Sequence, residues 1–83
     1  MPRYFFDIAS EHAIRDEEGE DLADSETARE VAIRIASELL PVHARQLART
    51  GRVAVTVRDA DGAVVHELEC RLTTRSPAAT DTR

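Results

Sequence analysis

The apolar residues of this chain change period twice, and that order restricts the fold more than any other feature. Tyr4, Phe6 and Ile8 alternate with Phe5 and Asp7, the two-residue period of a strand with one buried face. Over 25–49 the spacing becomes three and four, through Ala28, Val31, Ala32, Ile35, Ala36, Leu39 and Val42, which is the pattern of an amphipathic helix. Val53, Val55 and Val57 return to period two over 52–59. Val64, His66, Leu68, Cys70 and Leu72 carry it on over 63–72. Asp59-Ala60-Asp61-Gly62 lies between them, a turn whose glycine supplies positive φ. Residues 52–72 therefore read as a β-hairpin.

The ends of these elements carry their own signals. Pro2 stands at the start of the first strand, where a missing donor costs little. Residues 9–12 read as a turn, and 13–16 as a short second strand folding back on the first. Residues 16–24 form an acidic loop. Asp24 or Ser25 is the expected N-cap, with Asp21, Asp24 and Glu26 at the helix entrance and Arg45 and Arg49 at its exit, both matched to the helix dipole. Gly51 is the expected stop. Pro41 interrupts the backbone bonding, but the apolar spacing continues across it, so a single kinked helix is expected.

Strand, short strand, helix, strand, strand predicts an α+β two-layer sandwich. An antiparallel sheet of about four strands (β-β-α-β-β) carries one long helix on one face. The expected domain is 1–72, and the Ser-, Thr-, Pro- and Ala-rich stretch 73–83 reads as a disordered tail. A chain of 83 residues buries only roughly 60% of its unfolded surface, so a small core and one domain at most are expected in it. No apolar run approaches the ~20 residues of a membrane span, and the start lacks the apolar stretch of a signal peptide.

The formal net charge is −5, unevenly spread. Residues 1–27 carry nine acids and two arginines, whereas 28–58 carry two acids and six arginines. An acidic chain repels phosphate backbones, so nucleic acid is not an expected partner. All eleven basic residues are arginine. Cys70 is the single cysteine, which excludes an internal disulfide and a cysteine-rich zinc site and suits a reducing cytoplasm.

Met1-Pro2-Arg3-Tyr4-Phe5-Phe6, then Arg15-Asp16-Glu17-Glu18-Gly19, then Leu22-x-Asp24 before an alanine-rich helix, form a distinctive series. The hairpin Val55-Thr56-Val57-Arg58-Asp59-Ala60-Asp61-Gly62 completes it. Together these residues resemble the DUF6894 family of short bacterial proteins with no assigned activity, over about 1–72. That family often carries histidine where this chain has Asp7. The resemblance implies the domain boundaries and supplies no catalytic residue, cofactor or partner.

The acidic loop fails as a calcium-binding loop, because counting from Asp16 its glycine falls at the fourth position and no glutamate closes the twelfth. It reads as a solvated loop, and the aspartates of 59–62 as turn formers. His12, His43 and His66 fall on a loop, a helix and a strand, with His43 and His66 expected as satisfied, half-buried imidazoles. Cys70 lies four places from His66 on the same face of one strand, about 13 Å away, too far for a nucleophile–base pair. Cys70 reads as a small core residue. Gly19, Gly51 and Gly62 are too scattered for a phosphate loop. No metal, cofactor or catalytic residue is expected.

The helix has more apolar surface than one sheet face covers. Ala28, Ala32, Ile35, Leu39 and Val42 form one stripe; Ile33, Leu40 and Leu47, spaced by seven, form a second about 100° away. Heptad spacing favours helix–helix packing. Arg34, Arg45 and Arg49 share the polar face and offer a docking strip for an acidic partner, including the acidic loop of another copy. The expected function is thus a small non-catalytic protein-interaction domain, self-associating through its helix as a homodimer. The alternative is a regulatory or antitoxin-like module that docks a different protein.

Overall fold

β1 runs over Arg3–Ala9, with Tyr4 and Phe6 buried and Ile8 packed against them. The computed structural model describes residues 1–42 and 44–77. β2, Ala13–Ile14, folds back on β1 with Ile8 opposite Ile14. β3, Glu20–Asp21, pairs with the start of β1, Arg3 opposite Asp21. Two helices follow, α1 at Ser25–Val42 and α2 at Ala44–Thr50. β4, Arg52–Arg58, and β5, Val64–Arg71, close the hairpin. The five strands form one antiparallel sheet in the order β2-β1-β4-β5, with β3 beside β1. The α+β class and the antiparallel sheet are as expected from the period changes.

The core lies between the sheet and α1. Val53, Val55 and Val57 are 1%, 0% and 0% exposed, and burying each contributes roughly 2 kcal/mol. Phe6 is opposite Val57 and Ile8 opposite Val55, so β1, the first strand, zips to β4 across the whole helical segment. From α1, Ala28, Val31, Ala32 and Ala36 pack down on them. Alanines at these positions bring the helix backbone close to the sheet. Asp24 is the N-cap: its Oδ1 accepts the Thr27 N–H and the Thr27 hydroxyl, both at 2.8 Å.

Four details differ from the sequence reading. The helical segment is described as two stretches, α1 and α2, rather than as one long element, and His43 between them lies outside the described residues. Pro41 lies next to the end of α1 and has no N–H to give the Ser37 carbonyl four residues back. The acidic loop is not wholly loop, since Glu20 and Asp21 form β3 and raise the strand count from four to five.

The third difference is a register shift between Val57 and Arg58. Val57 pairs with His66, but Arg58 pairs with Val64, so β5 carries one extra residue. Val65 consequently packs against the core, and Val64, expected on the inner face, is 52% exposed. Fourth, Leu72, also expected on the inner face, is 49% exposed, although its N–H still bonds the Gly51 carbonyl at 2.7 Å.

Of the expected tail, residues 73–76 have no helix or strand. Residues 78–83 lie outside the described residues, as does His43.

Candidate interaction surface

The outer side of β1 pairs with β3 at Arg3 and Tyr4 and with β2 at Ile8 and Ala9. Between these short strands the Asp16 side chain takes the place of a strand. Its Oδ2 accepts the Phe6 N–H at 3.0 Å, and its Oδ1 accepts the N–H groups of Glu18 and Gly19 at 3.0 and 3.2 Å. Burial pushes the Asp16 carboxyl up, but these three donors outweigh it and hold the group below the ordinary aspartate value. Gly19 is required at the end of this turn. Its φ is +73°, and a Cβ there would meet the Tyr4 carbonyl oxygen and the Phe5 ring at 2.9 Å.

On the sheet face away from the helices, Arg58 is directly opposite Phe5 and diagonal to Asp7. Its Nε and Nη2 bond the two Asp7 carboxylate oxygens at 2.6 and 3.0 Å, and Nη2 also reaches the Asp16 carbonyl at 3.0 Å. The guanidinium carbon lies 5.0 Å from the Phe5 ring centre. The Asp16 N–H closes the circuit on Asp7 Oδ1 at 2.9 Å. The Arg58 bond, with that N–H, holds the Asp7 carboxyl below its usual range. The Arg58 and Asp7 side chains are only 12% and 23% exposed. This network was not foreseen from sequence. A lone acid in an aromatic strand was its only signal, and the arginine that answers it is 51 residues away.

The residues expected to form the interaction surface separate into two groups. Ile33 and Leu40 remain exposed on α1, at 41% and 37%. Leu47 does not join them: it is 6% exposed and belongs to the interior. The heptad stripe runs past Pro41, and in α2 Leu47 is the residue turned inward. Arg34 and Arg45 are exposed and make no ion pair among the described residues. Arg49 is taken up within the chain, where it pairs with Glu11 of the turn between β1 and β2. In the same turn the Ser10 hydroxyl bonds Gln46 Oε1 at 3.1 Å, so α2 is fastened over that end of the sheet.

His66 meets its expectation of a satisfied imidazole: its Nε2–H donates to the Ser25 carbonyl at 2.8 Å. His12 is exposed on the β1–β2 turn. Cys70 is a half-buried thiol packed against the core. Among the described residues no three His, Cys, Asp or Glu side chains are gathered as a metal site, and no helix is long and apolar enough to cross a membrane.

The fold and this surface define a small two-layer α+β domain, its sheet edge closed by an aspartate and its main helix left partly bare. A family model described as a domain of unknown function, DUF6894, matches residues 3–71, and the chain belongs to that family. The Asp16-Glu17-Glu18-Gly19 turn and the aromatic opening of the resemblance are thus the parts that close one edge of the sheet. No curated protein and no solved structure matches the chain.

Proposed function

We propose that this is a small non-catalytic protein-interaction domain that self-associates through α1 as a homodimer. The observation that carries the reading is Ile33 and Leu40, two large aliphatic side chains one heptad apart that the sheet leaves exposed. Exposed Ser37 lies between them, and a residue this small lets a second helix approach closely. Ser37 turns its hydroxyl back to the Ile33 carbonyl at 2.9 Å, so the strip between the two aliphatics needs no water for that group. The proposal places the domain in the cytoplasm, where a chain with one thiol keeps it reduced.

Light scattering after size exclusion, at two loading concentrations, tests the reading. A dimer is expected, with Leu40→Glu giving a folded monomer. A dimer unaffected by Leu40→Glu overturns the role of α1.

Arg34 and Arg45, exposed and without an ion pair among the described residues, favour one second reading, a regulatory or antitoxin-like module docking an acidic protein. In that case the purified chain is a monomer. A partner then co-purifies from native lysate and is lost with Arg34→Glu/Arg45→Glu.

A further inference from the structure

β5 ends the sheet, and β4 is its strand partner. The Leu72 N–H bonds the Gly51 carbonyl, so even-numbered positions at this end of β5 turn their backbone groups toward β4. Glu67, Glu69 and Arg71 therefore turn theirs to the open edge. Such an edge is a template for another strand.

The order of charges selects a partner and a register. A second copy running antiparallel must set odd positions opposite odd positions to use these backbone groups. Centred on Leu68, the pairing opposes Glu67 and Glu69. Centred on Glu69 it opposes two Glu69, and centred on Arg71 it opposes two Arg71. Centred on Cys70, it sets Glu69 opposite Arg71 of the second copy, twice by symmetry, with Leu68 opposite Leu72. No like charges face each other in that register. It also covers Leu72, which the single chain leaves 49% exposed.

The bare part of α1 looks over the same flank. Ile35 lines a groove with Phe6, Ile8 and Ile14, which marks the β1–β2 side of the helix. Ser25, whose carbonyl holds His66 of β5, marks the other side. At about 100° per residue, Ser25 lies about 80° around from Ile35, and Leu40 and Ile33 lie a further 60–80° in the same sense.

We propose that two copies join by antiparallel pairing of β5 with β5, centred on Cys70. One sheet then continues across both, with the Ile33–Leu40 stripes above the seam. This rests on the self-association proposed above and names its geometry.

Two measurements test it. In the paired register the two Cys70 Cα atoms stand about 4.5 Å apart, inside the range a disulfide spans. Copper-phenanthroline is expected to link the wild-type dimer through Cys70, the two thiols giving two protons and two electrons to the added oxidant. Glu69→Pro removes an N–H that has no strand partner among the described residues. It is expected to keep the far-UV circular dichroism and weaken the dimer by about tenfold or more, as ladder bonds are lost. The cross-link reads the wild-type chain, so it decides the matter if the proline variant folds poorly. A dimer that Leu40→Glu dissociates, yet which gives no Cys70 cross-link and is indifferent to Glu69→Pro, overturns the β5 seam and leaves association through α1 standing. A wild-type monomer overturns both.

Discussion

The Asp16 carboxylate accepts the backbone N–H of Phe6 at 3.0 Å, and in doing so fills the gap between two strands of two residues each. Phe6 is in the core, so this donor has no easy recourse to water. Asp16→Ala is expected to lower stability by about 2 kcal/mol, the cost of orphaning a buried donor, read as a lower urea midpoint at unchanged slope. An unchanged midpoint would mean that β1 needs no such plug.

Gly19 and Gly62 both have positive φ, +73° and +89°. They differ in surroundings: a Cβ at Gly19 meets backbone at 2.9 Å, whereas nothing lies within 4 Å at Gly62. Gly62→Ala is expected to cost about 1 kcal/mol, from backbone conformation alone. Gly19→Ala should cost clearly more, because β1 must also move. Equal losses in chemical denaturation would count against the close approach.

Leu47 and Leu40 have the same side chain and opposite surroundings. Leu47→Ala is expected to cost about 2–4 kcal/mol as a core truncation, and Leu40→Ala to stay within about 0.5 kcal/mol for the single chain. Thermal unfolding at a concentration where the protein is monomeric separates the two. A tolerant Leu47 would return it to the interaction stripe.

Asp7 and Asp16 are both held below the ordinary aspartate value of 3.8. A lowered carboxyl contributes stability above its unfolded pKa and loses it as pH falls through its folded value. The domain is therefore expected to lose stability as pH drops below about 4. Asp7→Asn/Asp16→Asn should be less stable at neutral pH and less sensitive to acid. Glu11 and Glu69, each lowered by arginine partners, and Asp24, lowered by its bonds from Thr27, leave a residual slope. A double variant with the wild-type acid profile would assign the acid sensitivity to those groups alone.

Much of the fold was legible because each local signal had a local cause. Alternating valines can bury only one face of β4, and three of them are buried. Gly62 and Asp59 form the hairpin turn from neighbouring atoms, the Asp59 Oδ1 accepting the Asp61 and Ala63 N–H groups at 2.9 Å. Asp24 caps α1 from three residues away. From sequence the acids of 16–24 read as a solvated loop, because the acceptor role of Asp16 depends on β1, ten residues earlier in the chain. For the candidate surface, spacing alone finds Ile33 and Leu40, but Leu47 is buried on α2, which Ser10 and Glu11 of the distant β1–β2 turn fasten over the sheet.

By itself the sequence determined the α+β class, the order of β1, the helical segment and the β4–β5 hairpin, and the buried faces of β1 and β4, since hydrophobic period, capping and turn chemistry act over a few residues. Tertiary structure alone decided which strands became neighbours and where the charges went. It set Arg58 against Asp7 across 51 residues and inserted Val65 through a one-residue shift in register. It also left Ile33 and Leu40 bare while covering Leu47. These outcomes depend on contacts between segments far apart in the chain, where the loop between them, not any local preference, sets what can meet.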